Sequence, residues 1–403
     1  MSIEPGQTSV GQPLEWLPRR RQIHLMRGLA SAALAAYDLS PARLSLLKHR
    51  HNTTFLVDPV DRPRCVLRIH RSGTPTVEGV SAELEWLRAL RRDTALQVPN
   101  PVLTRDGSSL TVAETSALRA AGFQPHICVL FDWSSGRMLD AGLAPVHMTL
   151  AGELMGRLQN HAAGWRPAHP LARGRVDGPI DAARRLGGPF AQESVFAQAS
   201  VDACRGLVAS TLGEAEAKVV GAVVERVRAA EEALGQGPAV FGLIHADLHH
   251  HNLLFERHSV RAIDFDDCGF GPFLYDLAVP LAVLRDHPAY PALRAGLLAG
   301  YRRVRPLPLA REEYLDTFIA LRLVQDALWV LAARRHPAIA ADWVAQARRI
   351  LAPLADFLTG GGHFPEHHSA WGWSRQPVPL GAMDLPGRPA HTLADRPGRE
   401  PTD

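Results

Sequence analysis

Two apolar runs that enclose a strongly polar turn limit what this chain can fold into more than any other feature of its sequence. Residues 243–255 read LIHADLHHHNLLF, and residues 262–271 read AIDFDDCGFG. Short apolar runs bounded by polar turn residues are typical of buried strands. Asp247 and Asn252 lie in the polar turn of the first segment, and Asp264 follows the apolar start of the second. Two strands that pack together would bring the three side chains into one polar site.

The residue types and spacing of this site suit phosphoryl transfer. A carboxylate placed against an attacking hydroxyl can accept its proton, and the rest of the reaction needs mainly positioning and charge stabilisation. An amide oxygen and a second carboxylate suit Mg²⁺, which takes oxygen ligands. His-x-Asp, with Asn five residues and a second Asp seventeen residues after that Asp, is the layout of a kinase catalytic loop and metal-binding strand.

These segments resemble the aminoglycoside phosphotransferase/choline kinase superfamily, which has a protein-kinase-like fold. The resemblance is carried by residues 244–252, 263–267 and 271–278, the last reading GPFLYDLA. It is greatest to the branch that contains homoserine kinase type II and the stress-response Ser/Thr kinase. It implies an α+β, bilobal fold with a small β-rich N-terminal lobe and a larger helical C-terminal lobe, and it implies ATP and Mg²⁺ as cofactors. The implied roles are a catalytic base at Asp247, magnesium ligands at Asn252 and Asp264, a loop organiser at His245 and a structural hydrogen-bond hub at Asp276.

Shorter motifs extend the resemblance into the N-terminal part. HNTTFLV at 51–57 resembles the hairpin that covers the phosphates, which implies phosphate contacts at Asn52 and Thr53. VLFDWSSGR at 129–137 resembles the hinge against which adenine stacks. Phe131 and Asp132 are the implied nucleotide contacts there, although Phe131 could equally fill the core between the lobes.

A cation and an acid are the other N-terminal features of the resemblance. VLRIH at 66–70 resembles the strand that offers a cation to the phosphates, and SAELEWLRAL at 81–90 resembles the helix whose acid pairs with it. These motifs imply a buried pair of Arg68 and Glu83. Because side chains alternate along a strand, Leu67 and Ile69 should face the core of the lobe and Arg68 the cleft. The substitution Lys48→Met is expected to have little effect on kcat/KM for ATP.

Two departures from the family pattern accompany this assignment. The hairpin at 51–57 contains no glycine, and the cation is arginine where the family pattern has lysine. The chain contains only two lysines, Lys48 and Lys218, so the cation position is easy to test. Arginine can hold a carboxylate and a phosphate oxygen together without being equivalent to lysine.

The periodicity of apolar residues divides the chain near residue 132. Strand-like runs and two helical patterns, at Gln22–Leu39 and Thr76–Arg92, fill the first part, and helical patterns dominate the second. We expect a flexible N-terminus at 1–21, the nucleotide-binding lobe at 22–132, the catalytic lobe at 133–360 and a disordered tail at 361–403. The helical patterns of the second part span residues 150–161, 214–233, 290–304, 312–333 and 338–358.

Composition excludes several classes of function. The net charge is +3 at pH 7, which is too balanced to favour nucleic acid as a partner, and no apolar run approaches the roughly 20 residues of a membrane span. The cysteines are far apart and form no Cys-x-x-Cys pair, which favours reduced thiols in the cytoplasm. The four cysteines are Cys65, Cys128, Cys204 and Cys268.

The phosphate acceptor stays open at this point. A small amino alcohol or amino-acid-like hydroxyl compound is the first choice, and a protein Ser/Thr hydroxyl is the alternative. A nucleotide-binding pseudokinase is a further alternative because the hairpin lacks glycine. A metal-dependent hydrolase would use His249–His251, but consecutive histidines on a strand cannot all face one ion, and structural zinc takes four ligands. Asp266 and Asp267 either bind substrate or cap the following turn.

Overall fold

The structure is a computed structural model, and it describes most of the chain. The described residues are 17–37, 42–49, 52–71, 75–140, 142–177, 198–332 and 342–364, together with Leu14 and Leu39. The first helix begins at Arg19, inside the segment predicted to be flexible. Residues 365–403, the bulk of the predicted disordered tail, lie outside the described residues. Among the described helices, none is long and apolar enough to cross a bilayer.

An antiparallel sheet of five strands forms the N-terminal part, in the order β1-β2-β3-β5-β4. Helix α1 covers one face of this sheet through its apolar side, and α2 joins β3 to β4. The Thr76 hydroxyl caps α2 by accepting a hydrogen bond from the Gly79 N–H at 3.1 Å. The strands are β1 Ala42–His49, β2 Thr53–Pro59, β3 Cys65–Ile69, β4 Thr111–Ala113 and β5 His126–Asp132, and the helices are α1 Arg19–Leu34, α2 Val77–Asp93 and α3 Ser116–Ala120.

The alternation of side chains on β3 determines which residues reach the cleft. Leu67 and Ile69 are buried in an apolar cluster with Leu29 of α1, as predicted. Arg68 lies opposite Thr54 of β2 and Val129 of β5 in the sheet. Its side chain projects from the other face, where α2 passes. The predicted register of this strand is confirmed.

Helices make up most of the second part, and two small antiparallel pairs of strands lie among them. β6 pairs with β9, and β7 pairs with β8. The strands are β6 Phe241–Ile244, β7 Leu253–Glu256, β8 Ser259–Ala262 and β9 Gly269–Pro272, and the helices are α4 Pro145–Gly164, α5 Gln198–Thr211, α6 Glu214–Leu234, α7 Phe273–Leu284, α8 Tyr290–Val304, α9 Leu309–Glu312, α10 Leu315–Ala332, α11 Trp343–Leu351 and α12 Pro353–Thr359.

Glycines allow α4 and α8 to pack with their backbones in contact. A Cβ atom at Gly152 of α4 would collide with the Leu297 carbonyl oxygen, and one at Gly300 of α8 would collide with the Thr149 carbonyl oxygen. Helix α10 is buried on nearly all sides and packs on α7 and α11. This helical block supports the strands that carry the polar turn at 245–252.

Candidate active site

The loop after β6 is held by a buried carboxylate. Asp276 of α7 accepts a hydrogen bond from the Ala246 N–H at 2.8 Å through Oδ1 and one from the His245 N–H at 3.2 Å through Oδ2. Ala246 has a φ of 67°, which is rare for a residue with a Cβ. Backbone strain of this kind persists only where the surroundings fix it, and it gathers at functional sites. The predicted role of Asp276 as a hydrogen-bond hub is confirmed.

His245 links the loop to the next strand pair. Its Nε2 donates to the Ile263 carbonyl oxygen at 3.1 Å, and its Nδ1 accepts from the Asp247 N–H at 3.3 Å. The ring also packs on Phe265, with the ring centroids 4.4 Å apart. His245 is fully buried. It therefore organises the loop, as predicted, and is not a ligand.

The Asp247 carboxylate is oriented from two sides. Asn252 Nδ2 donates to the Asp247 carbonyl oxygen at 2.8 Å and lies 3.2 Å from its Oδ2. Arg322 of α10 donates from Nη2 to Oδ1 at 2.8 Å. About a fifth of the Asp247 side chain is exposed, so the carboxylate is both fixed and accessible. The structure brings the predicted base and one predicted magnesium ligand into direct contact.

Sequence reasoning missed Arg322. It lies in a helix that is buried on nearly all sides, and it pairs with Asp326 one turn later at 2.9 Å. Its Nη1 also donates to the Ala246 carbonyl oxygen at 3.2 Å. Burial raises the pKa of Asp326, and Arg322 opposes that shift. Two opposite charges four residues apart in an apolar helix are the signal that could have identified this pair.

Asp264 lies between two cations from the N-terminal sheet. Arg68 Nη1 is 3.7 Å from its Oδ1, and Lys48 Nζ is 3.6 Å from its Oδ2. Burial and the nearby Asp266 carboxylate raise the pKa of Asp264, and both cations oppose that shift. Asp264 has a φ of 65°, so a second strained residue lies at this site. The Lys48 side chain thus reaches the cleft, which gives a reason to expect a larger effect of Lys48→Met than the sequence indicated.

Arg68 forms the predicted pair with Glu83. Its Nη2 lies 2.8 Å from Glu83 Oε1 and 2.7 Å from Oε2, and both side chains are buried. Burial lowers the pKa of Arg68, but the carboxylates of Glu83, Asp266 and Asp264 raise it by more. Arg173, a second cation, lies 3.7 Å from Glu83 Oε2 and donates to the Asp266 carbonyl oxygen at 2.7 Å.

The hairpin residues have different surroundings. Asn52 Nδ2 donates to Asp266 Oδ2 at 2.6 Å and so joins the sheet to the acidic segment. Thr53 is buried, and its Oγ1 lies 2.8 Å from His49 Nδ1. The structure brings Asn52 to the site and engages the Thr53 hydroxyl with His49.

The two predicted hinge residues have structural contacts. Phe131 is buried, and the Arg68 guanidinium lies 5.0 Å from its ring centroid. Asp132 Oδ2 accepts a hydrogen bond from Asn100 Nδ2 at 2.6 Å. Phe131 thus belongs to the buried core beneath Arg68, and the nucleotide contacts at Phe131 and Asp132 stay predictions. An open cleft next to Asp132 is lined by Asn100, Trp133 and Arg261.

Three consecutive histidines belong to the catalytic loop, residues 245–252. His250 and His251 belong to a 3₁₀ helix, and His249 precedes it. One ring nitrogen from each of the three lies within 4.8 Å of those of the other two. On a strand, consecutive histidines could not all face one ion, but here a 3₁₀ turn gathers one ring nitrogen from each of the three. Asp140 contacts the Nε2 atoms of His250 and His251.

Comparisons of sequence place this site in a family. A family model described as the phosphotransferase enzyme family matches residues 44–314. Amicoumacin kinase of Bacillus subtilis (strain 168) is 39% identical over 51 residues, which cover 13% of this chain and 15% of that protein. Homoserine kinase of Neisseria meningitidis serogroup B is 38% identical over 80 residues, which cover 19% of this chain and 26% of that protein. The chain thus matches well under two thirds of the length of either relative.

Solved structures extend the similarity over the whole fold. A microcompartment-associated aminopropanol kinase has a TM-score of 0.66 and 28% identity, covering 83% of this chain and 98% of that one. Amicoumacin kinase hAmiN, solved with AMP-PNP, Ca²⁺ and Ami, has a TM-score of 0.64 and 20% identity over 83% of this chain and 93% of that one. These neighbours confirm the predicted kinase-like α+β fold. Because the family model spans more than half of the sequence, the chain belongs to the phosphotransferase enzyme family.

Proposed function

We propose that this protein is an ATP-dependent phosphotransferase that moves the γ-phosphoryl group to a hydroxyl of a small amino alcohol or amino-acid-like substrate. The observation that carries the proposal is the position of Asp247. Its carboxylate is held between Asn252 and Arg322, and it is partly exposed. A fixed carboxylate can orient an acceptor hydroxyl and take its proton.

The N-terminal sheet contributes the positive charge that a nucleotide requires. Lys48 and Arg68 both approach Asp264, and Glu83 balances Arg68 from behind. Lys48 is about two fifths exposed, whereas Arg68 is almost fully buried. We assign phosphate contact chiefly to Lys48 and the shaping of the site chiefly to Arg68. Asn52, through Asp266, fixes the hairpin over the same segment.

Asn252 and Asp264 fit a divalent cation. Both offer oxygen, which Mg²⁺ prefers, and Asn252 Nδ2 is engaged by Asp247, so its Oδ1 is the atom left for a metal. The raised pKa values of Asp264 and Asp266, caused first by burial and then by neighbouring carboxylates, indicate a site where negative charge is in excess. When bound, Mg²⁺ would neutralise charge on the phosphates.

The choice of acceptor is supported by the structural neighbour of higher identity. That neighbour is an aminopropanol kinase, and its coverage extends over both lobes. We therefore place amino alcohols first among acceptors.

We also assign the protein to the cytoplasm, because all four cysteines are free and buried and cytosolic conditions keep such thiols reduced.

The test is ATP consumption with a panel of amino alcohols and hydroxy amino acids, with the phosphorylated product identified by mass spectrometry. Asp247→Ala should lower kcat by about 10²–10⁴, the contribution of a positioned general base. Asp286→Asn, at an exposed acidic residue after α7, is the matched control and should retain full activity. Normal turnover by Asp247→Ala would contradict the assignment.

A further inference from the structure

The three histidines of the catalytic loop form a compact cluster. The ring centroids of His250 and His251 are 3.9 Å apart, and the His249 centroid is 5.7 Å from that of His251. Each of the three is more than nine tenths buried. Three imidazoles packed this closely in a protein interior need a reason, since each carries polar nitrogen atoms that burial removes from water.

Two of the ring nitrogens have no hydrogen-bond partner. Nδ1 of His250 and Nδ1 of His251 are buried and unpaired. Buried polar atoms without a partner are uncommon in native structures, and each one calls for an explanation such as an ion.

Asp140 supplies a carboxylate at the solvent side of the cluster. Its Oδ1 lies 3.4 Å from His250 Nε2 and forms a closer contact with His251 Nε2. Nearly three quarters of the Asp140 side chain is exposed, so a cation can reach the cluster from solvent. Asp140 belongs to the segment between β5 and α4, whereas the histidines belong to the catalytic loop.

We propose that His249, His250 and His251 bind one d-block cation of the Zn²⁺ class through one ring nitrogen each. For His250 and His251 this is the unpaired Nδ1 atom, while Asp140 accepts from their Nε2 atoms and water takes the fourth position. Zinc takes four ligands, with nitrogen bonds of about 2.0–2.1 Å, so bound nitrogens lie about 3.4 Å apart in a tetrahedral site. The ring nitrogens lie within 4.8 Å of one another, so side-chain rotations that bring them closer by up to about 1.4 Å complete the site. His249 gives up the 3.2 Å contact of its Nδ1 with the His251 N–H when it binds.

The chemistry of the donors separates this site from the one assigned to Mg²⁺. Imidazole nitrogen suits zinc, copper and nickel, whereas carboxylate and amide oxygens suit magnesium. Asn252 and Asp264 are oxygen donors, and the histidine cluster is mostly nitrogen. His249 Nε2 lies 3.5 Å from Oδ2 of Asp247, and Asp247 in turn contacts Asn252, which is assigned to Mg²⁺. The two sites are therefore adjacent. Metal binding by this cluster does not depend on the proposed enzymatic activity.

The test is a titration of the untagged full-length protein with Co²⁺ in excess Mg²⁺ and without nucleotide. Visible absorption reports Co²⁺ in a four-coordinate site, and added Zn²⁺ should displace it with one equivalent bound. Asp140→Asn should weaken binding at least about tenfold, since even an outer-shell partner of a metal ligand contributes 10–100-fold. His250→Ala should abolish the signal. His258→Ala, at an exposed histidine on the turn between β7 and β8, is the control and should bind normally.

Three results would overturn the proposal. One is no stoichiometric Co²⁺ or Zn²⁺ binding by the wild-type chain. Another is equal affinity in the wild type, Asp140→Asn and His250→Ala. The third is loss of binding in Asp264→Asn, which would place the metal at the oxygen site. If His250→Ala does not fold by circular dichroism, the exposed position of Asp140 keeps its variant decisive.

Discussion

At the scale of single residues, Asp247 depends on a buried pair that no local motif contains. Arg322 contacts the carboxylate of Asp247, the carbonyl oxygen of Ala246 and the carboxylate of Asp326. It thus fixes both the strained backbone of the loop and the direction of the reactive oxygen atoms. Arg322 is a positioning residue, because its contacts are with the catalytic side chain and not with substrate.

Removal of Arg322 should separate stability from catalysis. Arg322→Gln should lower the free energy of unfolding by about 3–5 kcal/mol, because it leaves Asp326 buried and unpaired. It should also lower kcat roughly 100-fold, which is the size of effect that a misplaced group can cause, with little change in KM for ATP. Arg322→Gln with Asp326→Asn should recover most of the stability but not kcat. Denaturant titration and steady-state kinetics measure the two effects, and recovery of kcat by the double variant would refute the positioning role.

Substitution of Lys48 and of Arg68, the two cations near Asp264, should have different effects on nucleotide binding and stability. Lys48→Met should raise KM for ATP about 10–100-fold, because a hydrogen bond to a charged group contributes about 1.5–3 kcal/mol, and it should leave the melting temperature unchanged. Arg68→Met should destabilise the fold by about 3–5 kcal/mol as well, because Glu83 loses its bidentate partner. Lys218→Met, at the exposed second lysine, is the control. If Lys48→Met had wild-type kinetics, the phosphate contact would have to be assigned to Arg68 instead of Lys48.

At the scale of secondary-structure elements, the contact between α4 and α8 depends on glycine. Gly152→Ala should lower the free energy of unfolding by at least about 1–3 kcal/mol, because the methyl group meets a backbone carbonyl that cannot move aside. Gly206→Ala is the matched control, since that exposed residue of α5 has no atom near the new methyl group. It should stabilise the protein by about 0.4–1 kcal/mol. Thermal and denaturant unfolding test both, and equal effects would contradict the packing argument.

The sequence predicts several helices close to their observed bounds, including the almost fully buried α10, and misses two other elements. Helix α8 is found at Tyr290–Val304, as its 3.6-residue pattern predicts. Helix α7 was not predicted, because it is short, buried on almost every side and contains Pro280, a residue that disfavours a helix interior. Strand β1 was also missed, since its side chains are half-buried on both faces. The same reasoning applies to the site: Asp247, Asn252 and Asp264 are close in sequence, whereas Arg322 and Asp140 are brought to them only by the packing of distant elements.

At the scale of the whole molecule, the sheet and the helical part meet through polar contacts. Asn52 joins Asp266, Lys48 joins Asp264, and Arg173 lies between Glu83 and the Asp266 backbone. A nucleotide bound between these groups would add contacts to both parts at once. The acidic segment at 264–267 is therefore the part of the interface most sensitive to cation and nucleotide.

Binding of nucleotide should be measurable without knowledge of the acceptor. Magnesium-ATP at one hundred times its dissociation constant should stabilise the chain by about 2.7 kcal/mol. Asp264→Asn should fold but lose most of this stabilisation in magnesium. Differential scanning calorimetry measures the shift, and isothermal titration gives the affinity. An unchanged melting curve at millimolar magnesium-ATP, with no heat of binding, would count against the kinase assignment.

Because the chain contains only two lysines, a lysine-directed reagent can label it selectively. The chain has only two ε-amino groups, and the Lys48 amine lies in the cleft beside Asp264 while Lys218 lies on the exposed side of α6. An acyl-phosphate derivative of ATP would carry its electrophile to Lys48 and leave Lys218 to slow background acylation. Because β3 carries arginine where the family pattern has lysine, covalent labelling in the cleft would occur at Lys48. The extent of labelling would therefore measure nucleotide occupancy.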